Sequence, residues 1–445
     1  MDFRTAIVVS CLVVWPAAAE AQPGVNGERL NEHLEALSRF GRNDQGGVTR
    51  VAYTEEDRQA RAWVMELMRQ AGLEARIDAA GNLVGRRAGR DAALPPIAMG
   101  SHIDSVPAGG KYDGCVGSMS AIEVVQALTE AGVQTRHPIE VFIFQNEENG
   151  QVGSKAVSGE LKEAELELTN ATGKTRREGT AFLGGDPAAI ASVRRKPGDF
   201  AAYLELHIEQ GGILDAKHLD IGVVEGIVGI GRWMVTFDGE ANHAGTTPMD
   251  QRKDALVAAA RFIDAVNRLA VATPGRHVIT VGQIHVEPNA PNVIPGHVEI
   301  SLEIRDLDRK KIEGLFQQAI LDARGRLGAA IEFGVRKIYD NEPALTDDRI
   351  RQMVDAHARA MGLTTLAMPS GAGHDAQSIA RLAPIGMIFI PSVRGYSHSA
   401  REYSTPEAIT KGANVLLRTV LELDSRLPAL SRVEGPGPIN PRRSP

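Results

Sequence analysis

Two hydrophobic periods alternate along most of the chain. Uninterrupted apolar runs, rich in β-branched and aromatic residues, recur at 97–100, 139–144, 201–206 and 385–390. They read as strands buried on both faces. Helical spacing occupies 31–40, 55–71, 118–131, 349–361 and 405–423, with Gly72 and Gly132 as stop signals for the second and third. Shorter strands fit 73–77 and 82–85, and 159–200 is polar with helical pieces. Alternating strands and helices predict an α/β domain with a mixed, mostly parallel sheet and helices on both faces. From residue 223 the pattern changes. Strands at 223–238, 278–286, 298–306 and 330–336 frame helices at 254–269 and 310–327. That β-α-β-β-α-β order predicts an inserted ferredoxin-like α+β domain. The expected organisation is a discontinuous main domain, 22–222 and 338–430, interrupted by a domain at 223–337.

The two ends fall outside this pattern. Arg4, the apolar run 6–15 and Ala17-Ala18-Ala19-Glu20-Ala21 form the tripartite pattern of a signal peptide over 1–21. The run is too short to span a bilayer. The expectation is export to the periplasm or beyond, with no stable membrane insertion after cleavage. Cys11 leaves with that segment, so Cys115 has no intramolecular partner, and a small packed thiol is expected there. Residues 431–445, rich in Pro, Gly, Arg and Ser, read as a disordered tail. Hydrophobic residues make up 43% of the chain and charged ones 24%, which fits a soluble globular protein. A net charge of −7 without a basic stripe argues against a nucleic-acid partner.

The chemistry gathers where the buried runs end. The run 139–144 leads through Gln145-Asn146 into Glu147-Glu148. Two carboxylates at the end of a buried strand are costly unless positive charge meets them. His102 and His207 follow the runs at 97–100 and 201–206, His398 lies in the loop after 385–390, and Asp113 sits in the Gly-rich loop 109–117. In open α/β sheets ligands bind at this carboxyl edge. Singly, each histidine is an ordinary loop residue and the acid pair a solvated surface. Together His102, Asp113, Glu148, His207 and His398 are a ligand set for two divalent metal ions, zinc first, with manganese or cobalt also suited. Asp113 is placed to bridge ions about 3.5–4 Å apart. Asp104 is placed to accept the other ring N–H of His102. Glu147 is then free to act as general base on a metal-activated water and as acid toward the leaving nitrogen. The glycine loop lacks the spacing of nucleotide loops.

The stretches Gly100-Ser101-His102-Ile103-Asp104, Gly110-Lys111-Tyr112-Asp113-Gly114 and Asn146-Glu147-Glu148 resemble the dinuclear motifs of the aminoacylase/carboxypeptidase superfamily. Glu205-Leu206-His207-Ile208-Glu209-Gln210-Gly211 is similar to its hydantoinase/carbamoylase branch. That branch includes N-carbamoyl-L-amino-acid hydrolases, allantoate amidohydrolases and β-ureidopropionases. Asn242-His243-Ala244-Gly245, Asn292-Val293-Ile294-Pro295-Gly296, Gly371-Ala372-Gly373-His374-Asp375 and Ser397-His398-Ser399 follow in order. The resemblance spans roughly residues 30–427. It implies the same metal ligands and base, a discontinuous catalytic domain, and a lid and homodimer interface in 223–337. It also implies substrate contacts from Gln210, His243, Asn292, Arg305 and His374. Arg305 suits a bidentate grip on a carboxylate; the bland reading is an ion pair with Asp306 or Asp308. His374 next to Asp375 fits an internal ion pair equally well.

The implied reaction is hydrolysis of the C–N bond of a carbamoyl (ureido) group on a small carboxylate. Allantoate or ureidoglycolate hydrolysis remains open, as does a metallo-exopeptidase or N-acyl amino-acid hydrolase on the same scaffold. An exported small-molecule binding protein is the non-enzymatic alternative.

Overall fold

Alternate residues of the four apolar runs go to opposite faces of one sheet. Ile97, Met99, Val141, Ile143, Leu204, Leu206, Ile388 and Ile390 join one core. Their neighbours Ala98, Phe142, Phe144, Tyr203, Met387 and Phe389 join another. Exposing either face would forfeit roughly 1.5–3 kcal/mol per large side chain, so both are covered. Helices Gly27–Leu37, Cys115–Glu130 and Pro406–Arg426 cover the first face. Shorter helices Val152–Ser158 and Asp375–Ile379 cover the second. The computed structural model describes residues 23–327 and 331–426; the expected signal peptide and tail lie outside the described residues.

Across this sheet the order is Glu74–Ile77, Leu83–Arg87, Ile139–Phe144, Ile97–His102, Ala202–Ile208, Ile385–Ile390, Ile221–Ile227 and Ala344–Leu345, with Thr365–Ser370 also paired to Ile221–Ile227. The central pairings are parallel. Hairpins at one edge and the return strands at the other are antiparallel. The sheet is therefore more evenly mixed than expected. His102 lies opposite Phe144, and His207 opposite Phe389. This register brings the carboxyl ends of all four buried strands to one edge. Glu140, facing into the sheet within a buried strand, is neutralised by Arg86 at 2.5 Å and Arg195 at 3.0 Å.

Between residues 229 and 341 the chain builds a second sheet. Gly229–Asp238 lies between His297–Asp306 and Glu332–Asn341, all antiparallel. Helices Ala255–Ala272 and Arg309–Leu327 press Phe262, Val266, Ile312 and Leu315 onto Trp233, Val235 and Phe237. Asp254 caps the first of them, accepting from the Leu256 and Val257 N–H groups. The single strand expected at 278–286 is two, Val278–Thr280 and Ile284–Glu287, broken around Gly282. Thr365–Ser370, absent from the sequence reading, pairs with a register shift at Pro369, where the ladder loses a donor. Among the described residues no helix is long and apolar enough to cross a membrane.

Candidate active site

Two histidines are set up alike at the carboxyl edge. His102 Nδ1 lies 3.0 Å from the Asp104 carbonyl oxygen, and His207 Nδ1 lies 2.9 Å from that of Ile208. A carbonyl only accepts, so each Nδ1 carries the proton and each Nε2 presents a lone pair. The Gly114 N–H donates to His207 Nε2 at 3.1 Å, which agrees. Both Nε2 atoms face Asp113 Oδ1, at 3.7 Å from His102 and 3.2 Å from His207. This is how a ligating imidazole is held: one nitrogen fixed by the protein, the other offered. Asp104 departs from expectation in one respect. Its main chain, not its carboxylate, orients His102. The carboxylate instead accepts the N–H groups of Glu147 and Glu148, at 3.2 Å each, and so fixes the loop of the two acids.

Asp113 is the centre of the arrangement. Its Oδ2 lies 3.2 Å from His398 Nε2, and Glu148 Oε2 lies 3.4 Å from the same nitrogen. Two triads result, His102–Asp113–His207 and Asp113–Glu148–His398, each with its donor atoms within 4.8 Å of one another. They share Asp113, one oxygen to each side. The approach is close enough that a Cβ on Gly114 would sit 2.4 Å from the His102 ring; its φ of +63° also suits glycine. Glu402, which sequence reasoning missed, anchors the loop from behind. Its Oε1 accepts the N–H groups of Tyr112 and Asp113 at 2.9 and 3.0 Å, and its Oε2 accepts from Ser397 Oγ at 3.1 Å.

The charges at this edge fit a cationic occupant. Glu148 Oε1 is buried without a hydrogen-bond partner. Burial, then Asp113 and Glu147, push its carboxyl up to about 11. Burial lowers the His207 pKa, but Asp113 outweighs it and raises the group to about 9. Imidazole with carboxylate is the donor set of zinc, manganese or cobalt sites. Glu147 belongs to neither triad. The chain turns at Asn146 (φ 51°), and Glu147 Oε2 lies 3.8 Å from His102 Nε2, while Oε1 accepts from Gln151 Nε2 at 3.3 Å. Burial, partly opposed by His102, lifts its carboxyl to about 7, a value suited to a group that takes and returns a proton. Cys115 is a buried thiol against Arg50, with no place in the cluster.

These groups open into a cavity of about 550 Å³. Gln210, Arg305 and His374 line it; His243 and Asn292 do not. Gln210 Nε2 donates to Asp113 Oδ2 at 2.7 Å. His374 stacks edge-on against His207, with ring centroids 4.4 Å apart. Its Nε2 meets Ser370 Oγ at 2.8 Å rather than Asp375, whose buried oxygens have no partner. Arg305 reaches out of the second sheet to the Gly371 carbonyl at 2.7 Å and pairs through Nε with Glu303, not with Asp306 or Asp308. His243 and Asn292 sit on an exposed ribbon, Asn242–His243 paired with Val293–Ile294. Gln151, also missed, ties the Glu147 loop to the His374 carbonyl at 2.8 Å.

Comparison with known proteins gives the family. The model of peptidase family M20/M25/M40 matches residues 98–422. N-carbamoyl-L-amino acid amidohydrolase of Geobacillus stearothermophilus is 41% identical, over 90% of this chain and 99% of that protein. Allantoate amidohydrolase of Bacillus subtilis is 35% identical, over 88% and 97%. The crystal structure of a hydantoinase/carbamoylase family amidase from Burkholderia multivorans superposes with a TM-score of 0.83 at 37% identity, covering 91% of this chain and 99% of that one. The chain belongs to peptidase family M20/M25/M40, within its hydantoinase/carbamoylase branch of carbon–nitrogen hydrolases.

Proposed function

We propose that this chain is a metal-dependent amidohydrolase that cleaves the C–N bond of an N-carbamoyl group on a small carboxylate, such as an N-carbamoyl-L-amino acid. The observation that carries the reading is Asp113 shared between two triads with Glu147 beside them. His102, His207 and Asp113 would hold one divalent ion, and Asp113, Glu148 and His398 the other. Bound there, the ions supply Lewis-acid activation of water and neutralise developing negative charge. Asp104 and Glu402 keep the Glu147–Glu148 loop and Asp113 in place by accepting their backbone N–H groups. Glu147 takes a proton from the attacking water and returns it to the leaving nitrogen as the C–N bond breaks. An N-carbamoyl amino acid would yield the amino acid, ammonia and carbon dioxide. Arg305, at the mouth of the cavity, would hold the substrate carboxylate. Closure and a homodimer through 223–337 would bring His243 and Asn292 into play, and the mature chain would work outside the cytoplasm.

The relatives named for allantoate keep that substrate as the second reading. A panel of N-carbamoyl-L-amino acids, allantoate, ureidoglycolate and N-acetyl amino acids, run on metal-free protein reconstituted with zinc, manganese or cobalt, tests the proposal. Turnover of a carbamoyl substrate in a metal-loaded form is expected. Hydrolysis of N-acetyl substrates alone would overturn it.

A further inference from the structure

The metal-ligand edge accounts for only part of the cavity. Beyond the Glu147–Glu148 loop its wall carries Lys155 from the helix Val152–Ser158, Glu165 from the turn Glu163–Glu167, and Arg176, the first residue of the helix Arg176–Phe182. Glu165 Oε1 lies 3.4 Å from Lys155 Nζ and 3.7 Å from Arg176 Nη1. One carboxylate thus serves two cations, and one positive charge stays unbalanced. Arg176 is built into the wall. Its side chain is 12% exposed, and its Nη2 donates to the Asn149 carbonyl at 2.5 Å. The guanidinium packs over Gly150, where a Cβ would meet Nη2 at 2.4 Å. Its Nη1 is buried yet makes no hydrogen bond. A spare donor on a buried, under-neutralised cation is costly unless an anion completes it. Arg305 is arranged alike, since Glu303 pairs with both it and Arg232.

We propose that Lys155, Glu165 and Arg176 form a second anion-recognising subsite, which takes a carboxylate on the substrate's side chain. The preferred substrates are then N-carbamoyl derivatives of acidic amino acids. The first carboxylate goes to Arg305 and the second to this wall, while Leu168, Ile230 and Tyr339 offer apolar contact to the methylenes. This inference rests on the hydrolase reading above.

The test compares kcat/KM for N-carbamoyl-L-glutamate with that for its near-isosteres, N-carbamoyl-L-glutamine and N-carbamoyl-L-methionine, in zinc- and manganese-loaded protein. The glutamate derivative is expected to lead the glutamine derivative by about tenfold, mostly in KM, and added salt should shrink the lead. Lys155→Met should lower the glutamate-to-glutamine ratio and Glu165→Gln should raise it. A structural role would not give opposite signs, and a ratio is insensitive to a general loss of activity. Turnover of the methionine and glutamine derivatives with no preference for glutamate overturns the subsite alone. If none of the three is hydrolysed with either metal, while allantoate or another carbamoyl substrate is, the subsite is again overturned and the hydrolase reading stands. If no substrate at all turns over, both fall together.

Discussion

Glu402 touches neither substrate nor any proposed metal ion, yet the position of Asp113 depends on it. The side chain is 5% exposed, and Gly110 packs so closely that a Cβ there would meet Oε1 at 2.0 Å. In Glu402→Ala the N–H groups of Tyr112 and Asp113 lose their acceptor. Each stranded buried donor costs roughly 1–3 kcal/mol, so a loss of roughly 2–6 kcal/mol is expected where water does not refill the space. Asp113 would also lose its fixed orientation between the triads, and losing such an outer partner costs about 10–100-fold in metal affinity. Glu402→Gln keeps an oxygen facing both N–H groups and should recover most of the stability. Urea unfolding of the metal-free proteins measures the first effect. Zinc titration against a competing chelator measures the second. If the alanine variant binds zinc as tightly as the wild type, Glu402 does not position Asp113 and the argument fails.

Other substitutions separate the remaining roles. Glu147→Gln should bind metal normally while kcat falls by about 10²–10⁴-fold, the range of a lost general base; near wild-type turnover would refute the assignment. Arg305→Ala should raise KM for carboxylate substrates by about 10–100-fold with a smaller change in kcat, as for a lost charge-assisted hydrogen bond; an unchanged KM removes it from the carboxylate site. His33 lies half-buried, edge-on to Trp63 with centroids 6.1 Å apart, and burial lowers its pKa below 6.5. The fold favours the neutral ring, so the stability it confers is present above pH 6.5 and lost as pH falls through the lowered value. The urea stability gap between wild type and His33→Gln should narrow on acidification; a gap independent of pH would show that the ring is not linked to folding.

The proposed ligand positions His102, Glu148 and His207 are legible in the sequence because each closely follows an apolar run that a buried strand explains. Parallel pairing then carries His102, Glu148 and His207 to one edge whatever the loops do. Residues whose role depends on loops closing over long separations leave no such trace. Glu402 stands among Ala400, Arg401 and Tyr403 as any surface acid would; it is buried only because a chain segment 289 residues away returns to it. Arg176 reads as a solvated first-turn residue, and nothing local announces Gly150 beneath it. Asp104 is half legible: its nearness to His102 is evident, but the choice between its carbonyl and its carboxylate is settled by the turn that follows. Pro369 hides the strand Thr365–Ser370 because a missing donor argues against a ladder that in fact accommodates it. His243 and Asn292 rest on family resemblance, and their exposed ribbon lies apart from the cavity lining.

The central claim is that Asp113 joins two divalent ions, one held with His102 and His207 and the other with Glu148 and His398. Anomalous diffraction at the zinc edge from crystals of zinc-reconstituted protein tests it most directly. The account predicts two peaks about 3.5–4 Å apart, one against each Asp113 oxygen. A single peak away from Asp113, or none within reach of His102 and His398, would contradict it.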